Sequence, residues 1–162
     1  MSSFSIVQIS DTHLSRSFPH FVPNFERAAE FIARTKPDLV IHSGDLCVEA
    51  PDRPEELAFV RKALDGLAAP WCAIPGNHDI GDNPDLDYAP ARQVSASRLE
   101  AWREVFGPDR WSLRKGDWTL IGLDAMLLNS GLEDEAAQFD WLNETPVSYT
   151  HLTLPTTDVG CS

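Results

Sequence analysis

Cysteine is scarce: only Cys47, Cys72 and Cys161 occur in 162 residues. An odd number without paired spacing excludes a disulfide framework and a zinc ribbon. Cys47 and Cys72 read instead as small buried hydrophobes. Long apolar runs are missing too, and Met1 to Ile6 lacks the basic-then-apolar pattern of a secretory signal. A cytoplasmic protein with no membrane segment is the expectation. Positive charge is in short supply, 13 basic against 25 acidic residues for a net charge of −12, which argues against a broad nucleic-acid-binding face. A phosphate substrate stays open, because bound divalent cations would reverse the local sign. Internal repeats and low-complexity segments are absent. What is present, 43% hydrophobic content, suffices for one core and one domain.

The pattern alternates. Phe4 to Ile9, Asp38 to His42 and Trp71 to Ile74 read as strands. A helix is predicted from about Asn24 to Thr35, with Phe25, Ala28, Ala29, Ile32 and Ala33 on one stripe. A second begins with Asp52 as N-cap and Pro54 in the first turn, burying Leu57, Val60, Leu64 and Leu67. Strand and helix in alternation imply a parallel sheet with right-handed crossovers and a ligand site beyond the carboxyl ends of the strands. Further on, Gly81 to Gln93 reads as a polar loop and Ser95 to Phe106 as a helix exposing Arg98 and Arg103. Arg110 to Leu113 and Trp118 to Leu123 form a hairpin around Lys115-Gly116-Asp117, and Glu133 to Leu142 another helix.

Three polar clusters lie just past the three predicted strands: Asp11-Thr12-His13, Gly44-Asp45 and Gly76-Asn77-His78-Asp79. Each alone is ordinary turn chemistry, since Asp and Asn bond their own backbone and Gly supplies unusual dihedrals. Together they line one edge of one sheet. Paired divalent ions held by Asp, His and Asn supply a metal-activated hydroxide and cationic charge for phosphoryl oxygens, which is what cleaving a phosphate ester requires. Oxygen and imidazole ligands suit manganese, iron or zinc. His42 reads as a satisfied residue of the core or just behind the ligands, not a ligand itself, and His20 as part of a loop. Arg92 and Arg98 read either as solvated arginines or as contacts for a substrate phosphate.

Ser10-Asp11-Thr12-His13, Gly44-Asp45 and Gly76-Asn77-His78-Asp79 resemble the opening motifs of the calcineurin-like metallophosphoesterase superfamily. Leu123-Asp124 and Gln138-Phe139-Asp140-Trp141-Leu142 are similar to its bacterial cyclic-nucleotide and glycerophosphodiester phosphodiesterase branch. The resemblance implies an α/β four-layer sandwich, two mixed sheets flanked by helices, incomplete in this chain. It implies that Asp11 and His13 hold one metal, that Asp45 bridges two, and that Asn77 gives its side-chain oxygen to the second. His78 is then catalytic, acting on the transition state or leaving oxygen, with Asp79 orienting its ring. The expected activity is hydrolysis of a small phosphodiester. The alternatives are a phosphomonoesterase or nuclease of the same superfamily, and an inactive fragment or non-catalytic binding module.

The chain departs from the superfamily pattern where a further histidine and a Gly-His-x-His motif are expected. The only later histidine is His151, within a stretch from Val147 that lacks helical or strand periodicity. Val147 to Leu152 resembles a translated library adapter. Residues 1–146 are therefore read as the N-terminal part of one domain and 147–162 as a non-native tail, with the chain itself expected to be inactive.

Overall fold

The computed structural model describes residues 3–84 and 90–145, so the reading of 147–162 as a foreign tail lies outside the described residues. Strands β1 (Ile6–Ile9), β2 (Leu39–His42) and β3 (Trp71–Ala73) form a parallel sheet in that order. Its register pairs Ile6 with Leu39 and Val40 with Trp71. The crossovers carry α1 (Val22–Thr35) and α2 (Glu55–Asp65). A single helical turn, α3 (Asn77–Ile80), follows β3, and α4 (Ala96–Phe106) comes after the loop. Among the described residues strand β2 is central, with Leu39, Val40 and His42 buried, whereas β1 is an edge and leaves Ile6 exposed.

The core is assembled mainly between α2, α4 and the loops at the carboxyl edge. Leu57, Val60 and Leu64 of α2 meet Leu99 and Trp102 of α4, together with Leu14, Leu46 and Ile80 from the three loops. Trp102 stacks on Phe106 with ring centroids 4.2 Å apart. The loops that carry the polar clusters thus also contribute apolar anchors, which fixes the clusters to the core.

Three local expectations are corrected. Asp52 is not the N-cap of α2: Pro54 occupies that position without a side-chain cap bond, because the chain at Glu49–Arg53 already closes a turn of its own. Arg98 and Arg103 are not displayed to solvent. The Arg98 guanidinium donates to the carbonyls of Gln93 and Ala91, and Arg103 bridges the carboxylates of Asp109 and Asp134. Satisfying backbone carbonyls and a buried carboxylate outweighs solvation of these two cations.

Strands β4 (Trp111–Lys115) and β5 (Trp118–Gly122) form a separate antiparallel pair. Trp111 attaches it to the first sheet by donating its indole N–H to the Ala73 carbonyl at 2.9 Å. Opposite it, Gly122 makes room, since a Cβ there would stand 2.5 Å from the indole ring. Helix α5 (Glu133–Glu144) docks through Gln138, which is buried. Its side-chain oxygen accepts from the Asp124 N–H and its amide donates to the Asp124 carbonyl, both at 2.9 Å. The glutamine thus pairs the Asp124 backbone as a neighbouring strand would.

Gln138→Leu would leave a buried N–H and C=O of Asp124 without partners, so urea denaturation should show a loss of about 2–4 kcal/mol; a loss below about 0.5 kcal/mol would show that α5 is held elsewhere. Asp124 itself keeps one buried carboxylate oxygen, Oδ2, without a partner among the described residues. Burial, then the Asp109 charge, pushes its pKa from 3.8 up to about 7, against the Met126 N–H and Arg103. The folded value lies above the unfolded one, so its stabilising contribution is complete below pH 3.8 and is lost as pH rises towards about 7. Urea midpoints should therefore fall between about pH 4 and pH 7, and Asp124→Asn should reduce that slope. An unchanged slope in Asp124→Asn would place the titrating group elsewhere.

Candidate metal centre

Beyond the sheet, the loops after β1 and β2 continue to pair. The Asp11 N–H donates to the Gly44 carbonyl at 3.1 Å, His13 to Asp45 at 3.1 Å and Leu14 to Leu46 at 2.7 Å. Asp11, His13 and Asp45 all sit at positive φ, 54°, 43° and 56°. Such dihedrals are uncommon outside glycine, with Asp and His among the residues found there more often. The ladder bonds hold three of the expected ligands in this strained conformation, a pattern that clusters at functional sites.

The third loop closes against the second through glycine. Gly44, at φ 117°, faces Gly76, and a Cβ on Gly76 would lie 2.3 Å from Asp45 Oδ1 and 2.5 Å from Asp45 N. The Gly-Asp and Gly-Asn-His pieces are thus two halves of one contact, in which absent side chains admit the carboxylate. Asp45 Oδ1 also accepts from the His78 N–H at 3.0 Å.

His13, Asp45 and His78 bring one ligand atom each to within 4.8 Å of one another. The two imidazoles meet edge to face, with centroids 4.7 Å apart. His13 Nδ1 lies 3.2 Å from the Cys47 carbonyl and His78 Nδ1 lies against the Val48 carbonyl. A carbonyl only accepts, so each ring donates from Nδ1, which makes Nε2 the nitrogen available to a metal or a proton. Asp11 Oδ1 stands 3.9 Å from His13 Nε2. Asn77 donates its amide nitrogen to Asp82 Oδ1 at 2.8 Å, which leaves its oxygen free. The His13 imidazole, the Asp11 and Asp45 carboxylates and the Asn77 amide oxygen fit a borderline divalent ion, with the His78 ring beside them.

Asp79 does not orient the His78 ring. It is fully buried, and its carboxylate accepts from the N–H groups of Gly76 at 2.9 Å, Leu46 at 3.1 Å and Cys47 at 2.9 Å. The reason is helical geometry: the third residue of a helix reaches back over the N-cap, here Gly76, and away from its neighbour's ring. Burial pushes its pKa up to about 6, while the three N–H donors pull it back down.

His42 is the satisfied core residue expected of it. It accepts at Nδ1 from the Gly44 N–H and pairs at Nε2 with Thr12 Oγ1 at 2.8 Å. Burial lowers its pKa to about 4, so the ring stays neutral. Asn77, His78, Arg92, Arg98 and Asp82 line a cavity of about 370 Å³ beside the centre. Asp82 and the Cys47 and Val48 carbonyls were not legible as site groups. Carbonyls leave no trace in residue types, and an Asn–Asp pair five positions apart follows no regular periodicity.

The family model described as calcineurin-like phosphoesterase matches residues 4–160. No curated protein matches the chain. Among solved structures, the fold is similar to that of a purple acid phosphatase from seeds of yellow lupin, Lupinus luteus, with a TM-score of 0.55 and 16% identity. That similarity covers 90% of this chain and 28% of the lupin protein.

The geometry around Asp79 yields a prediction. An asparagine side chain at this position can keep the Gly76 and Leu46 donors on its oxygen, but its amide must then face the Cys47 N–H, donor against donor. Asp79→Asn should cost about 1–3 kcal/mol in thermal or urea unfolding near pH 7.5. Unchanged stability would return Asp79 to a role beside His78.

Proposed function

The chain belongs to the calcineurin-like phosphoesterase family, and from that premise we propose that it hydrolyses a small phosphodiester at a dinuclear metal centre. The observation that carries the reading is the convergence of His13, Asp45 and His78, with each ring's Nδ1 committed to a backbone carbonyl so that Nε2 is the nitrogen left for a metal or a proton. Asp11 and His13 would hold one ion, Asp45 would serve both, and Asn77 would offer its oxygen to the second. Manganese, iron and zinc all suit this set. When bound, the ions supply a hydroxide nucleophile and offset charge on the phosphoryl oxygens.

The remaining chemistry belongs to side chains. His78 keeps one proton on Nδ1 against the Val48 carbonyl. A second proton on Nε2 makes it an imidazolium that can stabilise the transition state or pass that proton to the leaving oxygen. Its backbone N–H is occupied by Asp45, so ring and carboxylate are positioned together. Asp79 supports both by tying their loops. A cytoplasmic location is part of the same proposal; for the described residues, no helix is long and apolar enough to cross a membrane.

The proposal extends to the chain as given. Asp11, His13 and Asp45 make three ligands for one ion, while Asp45 and Asn77 make two for the other, so residues 1–162 alone should hold metal weakly and unevenly. Manganese titration should show at most one loosely held ion per chain, lost in Asp45→Asn, with little turnover of bis(p-nitrophenyl) phosphate. Two tightly bound ions, or binding indifferent to Asp45→Asn, would overturn the ligand assignment. A protein expressed from DNA sequenced past the Pro146 codon tests the reaction class: turnover of the diester supports it, and turnover of p-nitrophenyl phosphate alone moves the activity to a phosphomonoesterase.

A further inference from the structure

A side-chain amide has two faces of nearly the same shape. Only the oxygen can ligate a metal, and a half-turn about the last torsion exchanges it for an NH₂ group. For Asn77 to act as a ligand, something must hold the oxygen outward. We propose that Asp82 is that positioning residue, an inference that rests on reading Asn77 as a ligand.

Asp82 Oδ1 lies 2.8 Å from Asn77 Nδ2. An ionised carboxylate only accepts, so it pairs with the NH₂ face and rejects the oxygen face. The opposite amide orientation would set oxygen against oxygen. Asp82 is itself immobilised. It is 3% exposed, its N–H donates to the Arg92 carbonyl at 2.8 Å, and its carbonyl accepts from the Val94 N–H at 2.9 Å. The Arg92 guanidinium stands 3.5 Å from Oδ2 on the other side of the carboxylate.

The strap at 92–94 reaches Asp82 only because Gly81 precedes it. Gly81 has φ 102°, and a Cβ there would lie 2.7 Å from the Gln93 carbonyl oxygen and 2.9 Å from that of Arg92. Position thus passes from the strap to the Asp82 backbone, from its carboxylate to the Asn77 amide, and so to the oxygen offered to the ion. Hydrogen-bonded partners of metal ligands commonly affect affinity by about 10–100-fold. No other hydrogen bond to the Asn77 side chain is seen among the described residues.

The test follows the Asn77 side-chain NH₂ signals of ¹⁵N-labelled chain 1–162 by NMR during titration with zinc ion. In the wild type these signals should exchange slowly with solvent and shift as zinc binds. In Asp82→Leu, which keeps the branched shape without an acceptor, they should move to free-amide positions and require at least about tenfold more zinc. Asp82→Asn can still offer its own oxygen to Asn77 and should stay within about threefold of wild type.

A wild-type zinc response in folded Asp82→Leu would overturn the inference while leaving Asn77 a ligand. A folded Asp82→Asn as defective as the leucine variant would also overturn it, assigning the effect to charge. Fast solvent exchange of the Asn77 NH₂ in the wild type would overturn it even if no variant folds. An Asn77 signal that ignores zinc in the wild type would remove the ligand reading and the inference with it.

Discussion

The buried carboxylate of Asp79 is the point on which this site depends. It takes three backbone N–H groups from two loops, those of Leu46 and Cys47 after β2 and that of Gly76 after β3. Without an acceptor between them, these N–H groups would be buried and unpaired, at a cost of about 1–3 kcal/mol each. The loop after β2 is in turn laddered to the loop after β1 from Asp11 to Leu14. One side chain therefore sets the spacing of all three clusters. Its own ionisation is resisted by burial and favoured by the three donors, so the strength of the staple follows the protonation of a single group.

Orientation within the centre is set largely by backbone, not by neighbouring side chains. The Cys47 and Val48 carbonyls choose the tautomers of His13 and His78. Left-handed dihedrals turn Asp11, His13 and Asp45 to one side, and paired glycines let Asp45 approach the third loop. Such fixtures are rigid because each is also part of the hydrogen-bond accounting of buried backbone. A chain with a net charge of −12 can gather carboxylates here because divalent cations reverse the local field when bound.

Away from the centre the packing is looser. Trp118 on β5 is 70% exposed, and Leu113 and Ile6 are exposed as well. The β4–β5 hairpin hydrogen-bonds to the parallel sheet through the Trp111 indole, and α5 is tied by Gln138 to Asp124 and by Asp134 to Arg103. Gln138 is buried because both ends of its amide serve the Asp124 backbone.

The sequence by itself determined the alternation of strand and helix, the parallel sheet and the placement of three polar clusters at its carboxyl edge. Apolar periodicity and local turn chemistry are written in consecutive residues, and β1, β2, β3, α4 and the hairpin fall close to where they are expected. The identities of Asp11, His13, Asp45, Asn77 and His78 were legible for the same reason, as clusters just past strand ends. Their roles in binding remain the subject of the proposal. Only the tertiary structure decided that Asp79 serves three backbone N–H groups instead of the His78 ring, that Asp52 leaves the cap of α2 to Pro54, and that Arg98 and Arg103 turn inward. Each outcome depends on partners up to 33 residues away or on backbone groups common to every residue. A hydrogen-bond partner of that kind exists only once the chain has folded.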